Sequence, residues 1–139
     1  MVQLARVFLS VLVLAAAPAC QLASADGPVK TDAFGKLSGD EVARLITSGT
    51  AAIFDVNGRD RYAKGHLPGA SWMAFDDVKP SDLPPKKDHT LVFYCANELC
   101  SASHDAARQA VALGYSKVFV MPAGIYGWEK AGRPTERGR

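Results

Sequence analysis

The sequence lacks any block of like charge, any internal repeat and any low-complexity tract. Its 16 basic and 14 acidic residues leave a net charge of only +2, and their even spread argues against a nucleic-acid surface. The apolar run from Val7 to Ala17 is too short to span a bilayer comfortably. What remains is a chain of 139 residues, 48% of them hydrophobic, which can support one compact core but hardly two.

The first 25 residues have the pattern of a secretory signal, with a single charge at Arg6, the apolar run and then small residues. Ala23-Ser24-Ala25 is an A-x-A cleavage site, which predicts a mature chain that begins at Asp26. The alternative is a lipoprotein box that ends at Cys20, although its match is poorer. We therefore expect an exported, periplasmic protein, with a membrane anchor at Cys20 as the second choice.

Only two cysteines, Cys95 and Cys100, remain after cleavage at Ala25. Exported proteins rarely leave thiols idle, so we expect this pair to form either a disulfide or a redox-active couple. Bridging requires Cα atoms within about 7 Å of each other, a distance that depends on loop geometry. Together with His104, which we expect to be a solvated helix residue, the two cysteines match no familiar zinc spacing. No metal site is therefore expected.

Helix and strand patterns alternate after a polar lead-in segment, residues 26–37. Ser38 and Glu41 form a capping-box signature before a short helix that ends at Gly49. Short apolar runs predict strands at 51–56, 71–74, 90–94 and 117–121. Helices are predicted at 59–64, from Ser101 or Ser103 to Leu113, and at 125–131. The proline-rich segment 80–87 is predicted as an irregular surface loop. This order predicts a single α/β domain over residues 38–135, with a central parallel sheet flanked by helices.

Cys95 directly follows the strand 90–94, at the sheet edge where parallel α/β folds collect ligands. The next residues can turn their backbone N–H groups, and the N-terminus of the following helix, toward the sulfur. Such dipoles stabilise a thiolate and make a cysteine nucleophilic at neutral pH. The competing interpretation is an inert buried cysteine at the end of a strand. The expected N–H cradle comprises Ala96, Asn97, Glu98, Leu99, Cys100 and Ser101.

Several motifs together resemble the rhodanese family of sulfurtransferases, in the order and spacing of that family. They are Asp55-Val56, YAKGHLPGA at 62–70, Phe93-Tyr94-Cys95 and GIYGW at 124–128, and the resemblance covers about Ser38 to Pro134. It implies a single rhodanese-like domain whose Cys95 attacks the outer sulfur of a donor, becomes a persulfide and passes that sulfur on. The implied partners are a small sulfur donor, such as thiosulfate or a persulfide, and a thiol or cyanide-like acceptor. No cofactor is implied.

The loop after Cys95 departs from the family pattern at two positions. Many members have glycine three residues after the cysteine and a basic or small polar residue two further on, whereas this chain has Glu98 and Cys100. An acidic loop should repel thiosulfate, so the nature of the donor stays open. Cys100 could resolve a Cys95 persulfide or form a structural bridge. No arginine closes the loop, which disfavours the phosphatase chemistry found on this fold.

Three functions follow from these residues. The favoured one is an exported sulfurtransferase that works through a Cys95 persulfide. The alternatives are a periplasmic thiol-disulfide protein that uses Cys95 and Cys100, and a catalytically silent rhodanese-like module that binds a partner.

Other polar residues near these motifs are expected to be structural. Asp55 and His66 should hydrogen-bond to the backbone, at a strand end and in a turn respectively. Arg59 and Arg61 are candidates to rim the active face and attract an anionic donor, although isolated arginines are more often solvated surface residues. Trp128 is expected in the core.

Overall fold

Five short parallel strands form one sheet in the computed structural model, which describes residues 33–138. The strands are β1 (Gly35–Lys36), β2 (Ala51–Asp55), β3 (Ser71–Trp72), β4 (Thr90–Tyr94) and β5 (Lys117–Val120). In space they lie in the order β1-β5-β4-β2-β3, so β4 is the central strand. Its residues from Leu91 to Tyr94 are all buried, as expected for a strand that is covered on both faces.

Helices pack on both faces of the sheet. Within the described residues they are α1 (Gly39–Ser48), α2 (Arg59–Lys64), α3 (Ala102–Ala112) and α4 (Gly124–Lys130). Alternate side chains of β4 point to opposite faces: Leu91 and Phe93 pack with alanines of α3, whereas Val92 and Tyr94 pack with residues of α1 and α4, including Trp128. The predicted α/β architecture and the core position of Trp128 are therefore confirmed.

The first helix begins and ends as its sequence predicts. The Ser38 hydroxyl accepts a hydrogen bond from the Glu41 backbone N–H, and the Glu41 carboxylate accepts one from the Ser38 backbone N–H at 2.8 Å. These two bonds satisfy N–H groups that the helix itself cannot pair. Gly49 closes the helix in the left-handed region, with φ of 63°, a conformation that glycine adopts without steric cost.

Two short elements differ from the sequence prediction. The end of the predicted lead-in segment forms β1 and pairs with β5, where Gly35 lies so close to Phe119 that a Cβ atom would come within 2.6 Å of its ring. Pro80–Asp82, predicted as irregular, forms a single 3₁₀ turn, because proline suits the first position of a helical turn. A two-residue edge strand and a single turn are too short to produce a periodic pattern.

The predicted signal sequence, its cleavage site after Ala25 and Cys20 lie outside the described residues. So does most of the predicted lead-in segment. Among residues 33–138, no helix is both long and apolar enough to cross a membrane.

Candidate active site

Cys95 lies immediately after the central strand and is almost completely buried, with 1% of its surface exposed. The first turn of α4 holds its backbone: Ile125 N–H donates to the Cys95 carbonyl at 2.9 Å, and Tyr126 N–H donates to the Ala96 carbonyl at 3.0 Å. Gly124 permits this approach, since its φ is +59° and a Cβ atom there would lie 2.5 Å from the Cys95 and Ala96 backbone. The cysteine therefore has a fixed position at the carboxyl edge of the sheet.

Cys95 and Cys100 are joined by a disulfide bond. Their Cα atoms are 6.4 Å apart, which lies within the ordinary range for bridged cysteines. The loop thus brings together the two cysteines that the sequence nominated, in their oxidised form. Cys100 is only partly buried.

Asn97 organises the loop between the two cysteines. Its side-chain oxygen accepts from Leu99 N–H at 3.0 Å, and its backbone carbonyl accepts from Cys100 N–H at 3.1 Å. In the bridged form these two members of the predicted N–H cradle therefore bond within the loop. Glu98, Leu99 and Ser101 are exposed, and Leu99 reaches 95% exposure. The cradle itself stays a prediction for the reduced form.

Ser103 is a site residue that sequence reasoning did not assign. It lies in the first turn of α3, is 2% exposed, and its hydroxyl oxygen is 3.8 Å from the Cys95 sulfur and 3.5 Å from His104 Nδ1. A hydroxyl at this place can donate to a thiolate on Cys95. His104 was expected to be solvated but is partly buried, with its ring packed edge-on against Phe34. The sequence signal that could have identified Ser103 is a hydroxyl residue in the first turn of the helix that follows Cys95.

Asp55 and His66 have the structural roles that the sequence predicts. Asp55 is fully buried at the end of β2, where one carboxylate oxygen accepts from both the backbone and the side-chain N–H groups of Asn57 at 2.8 Å. Its other carboxylate oxygen has no hydrogen-bond partner among the described residues. His66 is buried, and its Nδ1 donates to the Tyr62 carbonyl at 2.9 Å.

Tyr94 connects the central strand to the turn that holds His66. Its hydroxyl accepts a hydrogen bond from Leu67 N–H at 3.0 Å. Burial, together with the nearby charge of Asp55, raises the pKa of Tyr94 far above its ordinary value. Tyr94 therefore stays neutral and acts as a structural hydrogen-bonding residue.

The two arginines that were candidates to attract an anionic donor are engaged with other side chains. The Arg59 guanidinium stacks 3.8 Å above the Trp72 ring. Arg61 forms a 2.8 Å ion pair with Glu129 and also donates to the Gly65 carbonyl at 3.2 Å. Neither side chain is therefore directed to a donor anion beside Cys95 in the described structure.

A mostly apolar cleft of about 330 Å³ lies beside the disulfide. Cys100 and Ala102 form part of its wall, and Asp76 is the one charged residue of its described lining. The other lining residues are Val56, Asn57, Gly58, Trp72, Met73, Ala74 and Phe75. The volume lies at the small end of the usual range for ligand-binding clefts. Among residues 33–138, no group of three or more histidine, cysteine or acidic residues is arranged to hold a metal ion.

Comparison with known proteins identifies this fold and its relatives. Residues 38–131 match the rhodanese-like domain family. The chain is 28% identical over 103 residues to the uncharacterized protein YibN of Escherichia coli K12, covering 71% of this chain and 70% of YibN. It is 30% identical over 90 residues to the human thiosulfate:glutathione sulfurtransferase, covering 55% of this chain and 76% of that protein.

Solved structures agree with this fold. The BH2092 protein from Bacillus halodurans superposes with a TM-score of 0.68 at 21% identity, over 74% of this chain and 77% of that one. The human single-domain sulfurtransferase TSTD1 superposes with a TM-score of 0.58 at 26% identity, over 68% of this chain and 95% of that one.

Proposed function

This chain belongs to the rhodanese-like domain family, and we propose that it is an exported sulfurtransferase that carries sulfane sulfur as a persulfide on Cys95. The observation that carries the proposal is the position of Cys95, directly after β4, with the Ser103 hydroxyl 3.8 Å from its sulfur. Two relatives named as sulfurtransferases support this chemistry: the human thiosulfate:glutathione sulfurtransferase and the thiosulfate sulfurtransferase GlpE of Pseudoalteromonas translucida, which is 24% identical over 99 residues.

The proposed reaction has two halves and requires reduced Cys95. The Cys95 thiolate attacks the outer sulfur of the donor, the donor's S–S bond breaks, and the rest of the donor leaves with the electron pair. A thiol or cyanide-like acceptor then attacks the outer sulfur of the persulfide and releases the Cys95 thiolate. Because the sulfur of a disulfide is not a nucleophile, the Cys95–Cys100 bond must be reduced before Cys95 can attack the donor.

The electrostatics of the site favour a persulfide donor over thiosulfate. Glu98 is exposed on the loop, and Asp76 lies in the cleft next to Cys100. Arg59 and Arg61 interact with other side chains. A small dianion such as thiosulfate would therefore approach acidic groups without help from Arg59 or Arg61, whereas a persulfide carried by a larger molecule can place its charge elsewhere.

Export belongs to the proposal and rests on the N-terminal sequence. Cleavage after Ala25 would give a periplasmic protein, and acylation of Cys20 would give a membrane-anchored one. Mass spectrometry of the protein recovered from its native host distinguishes the two, since an N-terminus at Asp26 supports the first and a lipidated Cys20 the second. Recovery of the intact chain from the cytoplasm would contradict both.

The disulfide itself favours a second candidate, a thiol-disulfide protein that cycles between dithiol and bridge. Both cysteines sit in one loop at the active edge of the sheet, and Cys100 adjoins an open cleft. In this case Cys95 would accept electrons and no sulfur atom.

Intact-mass measurement separates the two candidates. The fully reduced protein is incubated with thiosulfate and, separately, with glutathione persulfide, beside Cys95→Ser and Cys100→Ser variants. Sulfur transfer predicts a gain of one sulfur atom on Cys100→Ser, which lacks the thiol that could resolve a Cys95 persulfide, and none on Cys95→Ser. If the native protein re-forms the bridge and Cys100→Ser gains no sulfur from either donor, the sulfurtransferase is excluded and the redox candidate is supported.

A further inference from the structure

The two cysteines of the bridge differ in their access to solvent. Cys95 is 1% exposed, whereas Cys100 is partly exposed and, of these two cysteines, is the one that lines the cleft. We propose that the protein is activated by a partner protein whose cysteine, flanked by apolar residues, docks in this cleft and attacks Cys100. The inference deepens the proposed function, since this reduction frees Cys95 for sulfur transfer.

Attack at Cys100 is favoured by the leaving group as well as by access. It releases Cys95 as a thiolate, beside the Ser103 hydroxyl at 3.8 Å and the first turn of α3. A stabilised thiolate leaves faster in thiol-disulfide exchange. Attack at Cys95 would instead require an incoming thiol to reach a buried sulfur and would release Cys100, which has no such hydroxyl within the described contacts. Access and leaving-group stability therefore point to the same sulfur.

The lining of the cleft determines the kind of thiol that fits. Val56, Met73 and Phe75 give it apolar walls, and Phe75 is 41% exposed. Leu99, next to Cys100 in the chain, is almost fully exposed and gives the loop a further apolar side chain that a docked protein segment could contact. Asp76 in the lining and Glu98 on the loop disfavour an anionic thiol. These features fit a cysteine on a protein segment with apolar, neutral or basic neighbours.

The reaction balances as two successive thiol-disulfide exchanges. The partner's first thiol loses its proton to solvent and attacks the Cys100 sulfur; a partner–Cys100 bond forms, and the Cys95–Cys100 bond breaks with its electron pair on Cys95. A second thiol of the partner attacks the partner's own sulfur in the mixed disulfide, and Cys100 leaves as a thiolate that takes up a proton. The partner's dithiol is oxidised to a disulfide, and the two cysteines receive both electrons.

Trapping the mixed disulfide tests the site of attack. The purified oxidised protein is mixed with a peptide that has one cysteine between leucine and phenylalanine, quenched with acid, alkylated and mapped by mass spectrometry. The proposal predicts the peptide on Cys100 and the alkyl group on Cys95. A peptide attached mainly to Cys95, or no adduct with any thiol, would overturn it.

Comparing rates tests the cleft. We expect the apolar peptide to react about tenfold faster than a matched peptide with glycine and serine neighbours, as burial of one apolar side chain can provide. Phe75→Ala should reduce this ratio about threefold. Leu45→Ala is the matched control, because Leu45 lines a different apolar cleft, beside Thr90 at the opposite edge of the sheet. In this variant the ratio of the two peptide rates should stay unchanged. Equal ratios in the two variants would refute docking in the cleft.

The outcomes distinguish this inference from the proposed function. If the pre-reduced protein gains sulfur on Cys95 but the peptide attaches to Cys95, only the route of activation is wrong. If the peptide attaches to Cys100 with the predicted apolar preference but the reduced protein gains no sulfur, the partner-driven reduction holds and the sulfurtransferase fails.

Discussion

Replacement of Gly124 by alanine should both destabilise the protein and displace the loop that begins at Cys95. Gly124 has a φ of +59°, and an added Cβ would lie 2.5 Å from backbone atoms of Cys95 and Ala96. A non-glycine residue in this region costs about 1–2 kcal/mol, and overpacking against backbone adds about 1–3 kcal/mol. We therefore expect the free energy of unfolding to fall by about 2–5 kcal/mol.

Urea denaturation measures this loss, and Gly49→Ala provides the matched control. Gly49 has nearly the same φ, 63°, but nothing within 4 Å of an added Cβ, so its variant should lose about 1–2 kcal/mol with an unchanged m-value. In the Gly124 variant the hydrogen bonds from Ile125 and Tyr126 to the loop should also weaken. The rate at which iodoacetamide alkylates reduced Cys95 should therefore differ from that of the native protein. Equal destabilisation in the two variants would refute the idea that α4 presses rigidly against the loop.

Three further predictions concern Cys95, the bridge and the first helix. Ser103→Ala removes the hydroxyl that lies 3.8 Å from the Cys95 sulfur. Iodoacetamide should then alkylate the reduced protein about fivefold more slowly, because a lost hydrogen bond costs about 1 kcal/mol. An unchanged rate would mean that the hydroxyl does not stabilise the Cys95 thiolate. The two cysteines of the bridge are five positions apart, so its reduction should lower the free energy of unfolding by about 2 kcal/mol through the entropy of the unfolded chain. Urea denaturation with and without reductant measures this loss. Cys100→Ser, which cannot form the bridge, should show no dependence on reductant. Hydrogen bonds from the Ser38 backbone and hydroxyl lower the pKa of Glu41 from 4.5, so its contribution to stability is complete above that value and is lost as the pH falls through the folded pKa. Glu41→Gln should therefore be less stable than the native protein at about pH 7, and the difference should close as the pH falls through the folded pKa, below 4.5. A constant difference would contradict this origin.

The candidate site was predictable where it depends on neighbouring residues. Cys95 follows a run of buried β residues and belongs to a recognisable motif, so its place at the end of β4 could be read from the sequence. Ser103 was not predictable in this way, because its proximity to the Cys95 sulfur depends on how the first turn of α3 directs its hydroxyl. The same applies to Arg59 and Arg61, whose partners Trp72 and Glu129 lie in other elements.

The sequence by itself determined the α/β architecture, the family and the identity of the two cysteines, because periodicity, helix caps and motifs are local patterns along the chain. Only the tertiary structure decided that Cys95 is buried while Cys100 faces a cleft, and that Asn97 uses two of the expected loop donors. The access of each cysteine depends on packing between segments far apart in the chain, whereas the bonds of Asn97 depend on the local conformation of the loop, which no periodic pattern in the sequence encodes.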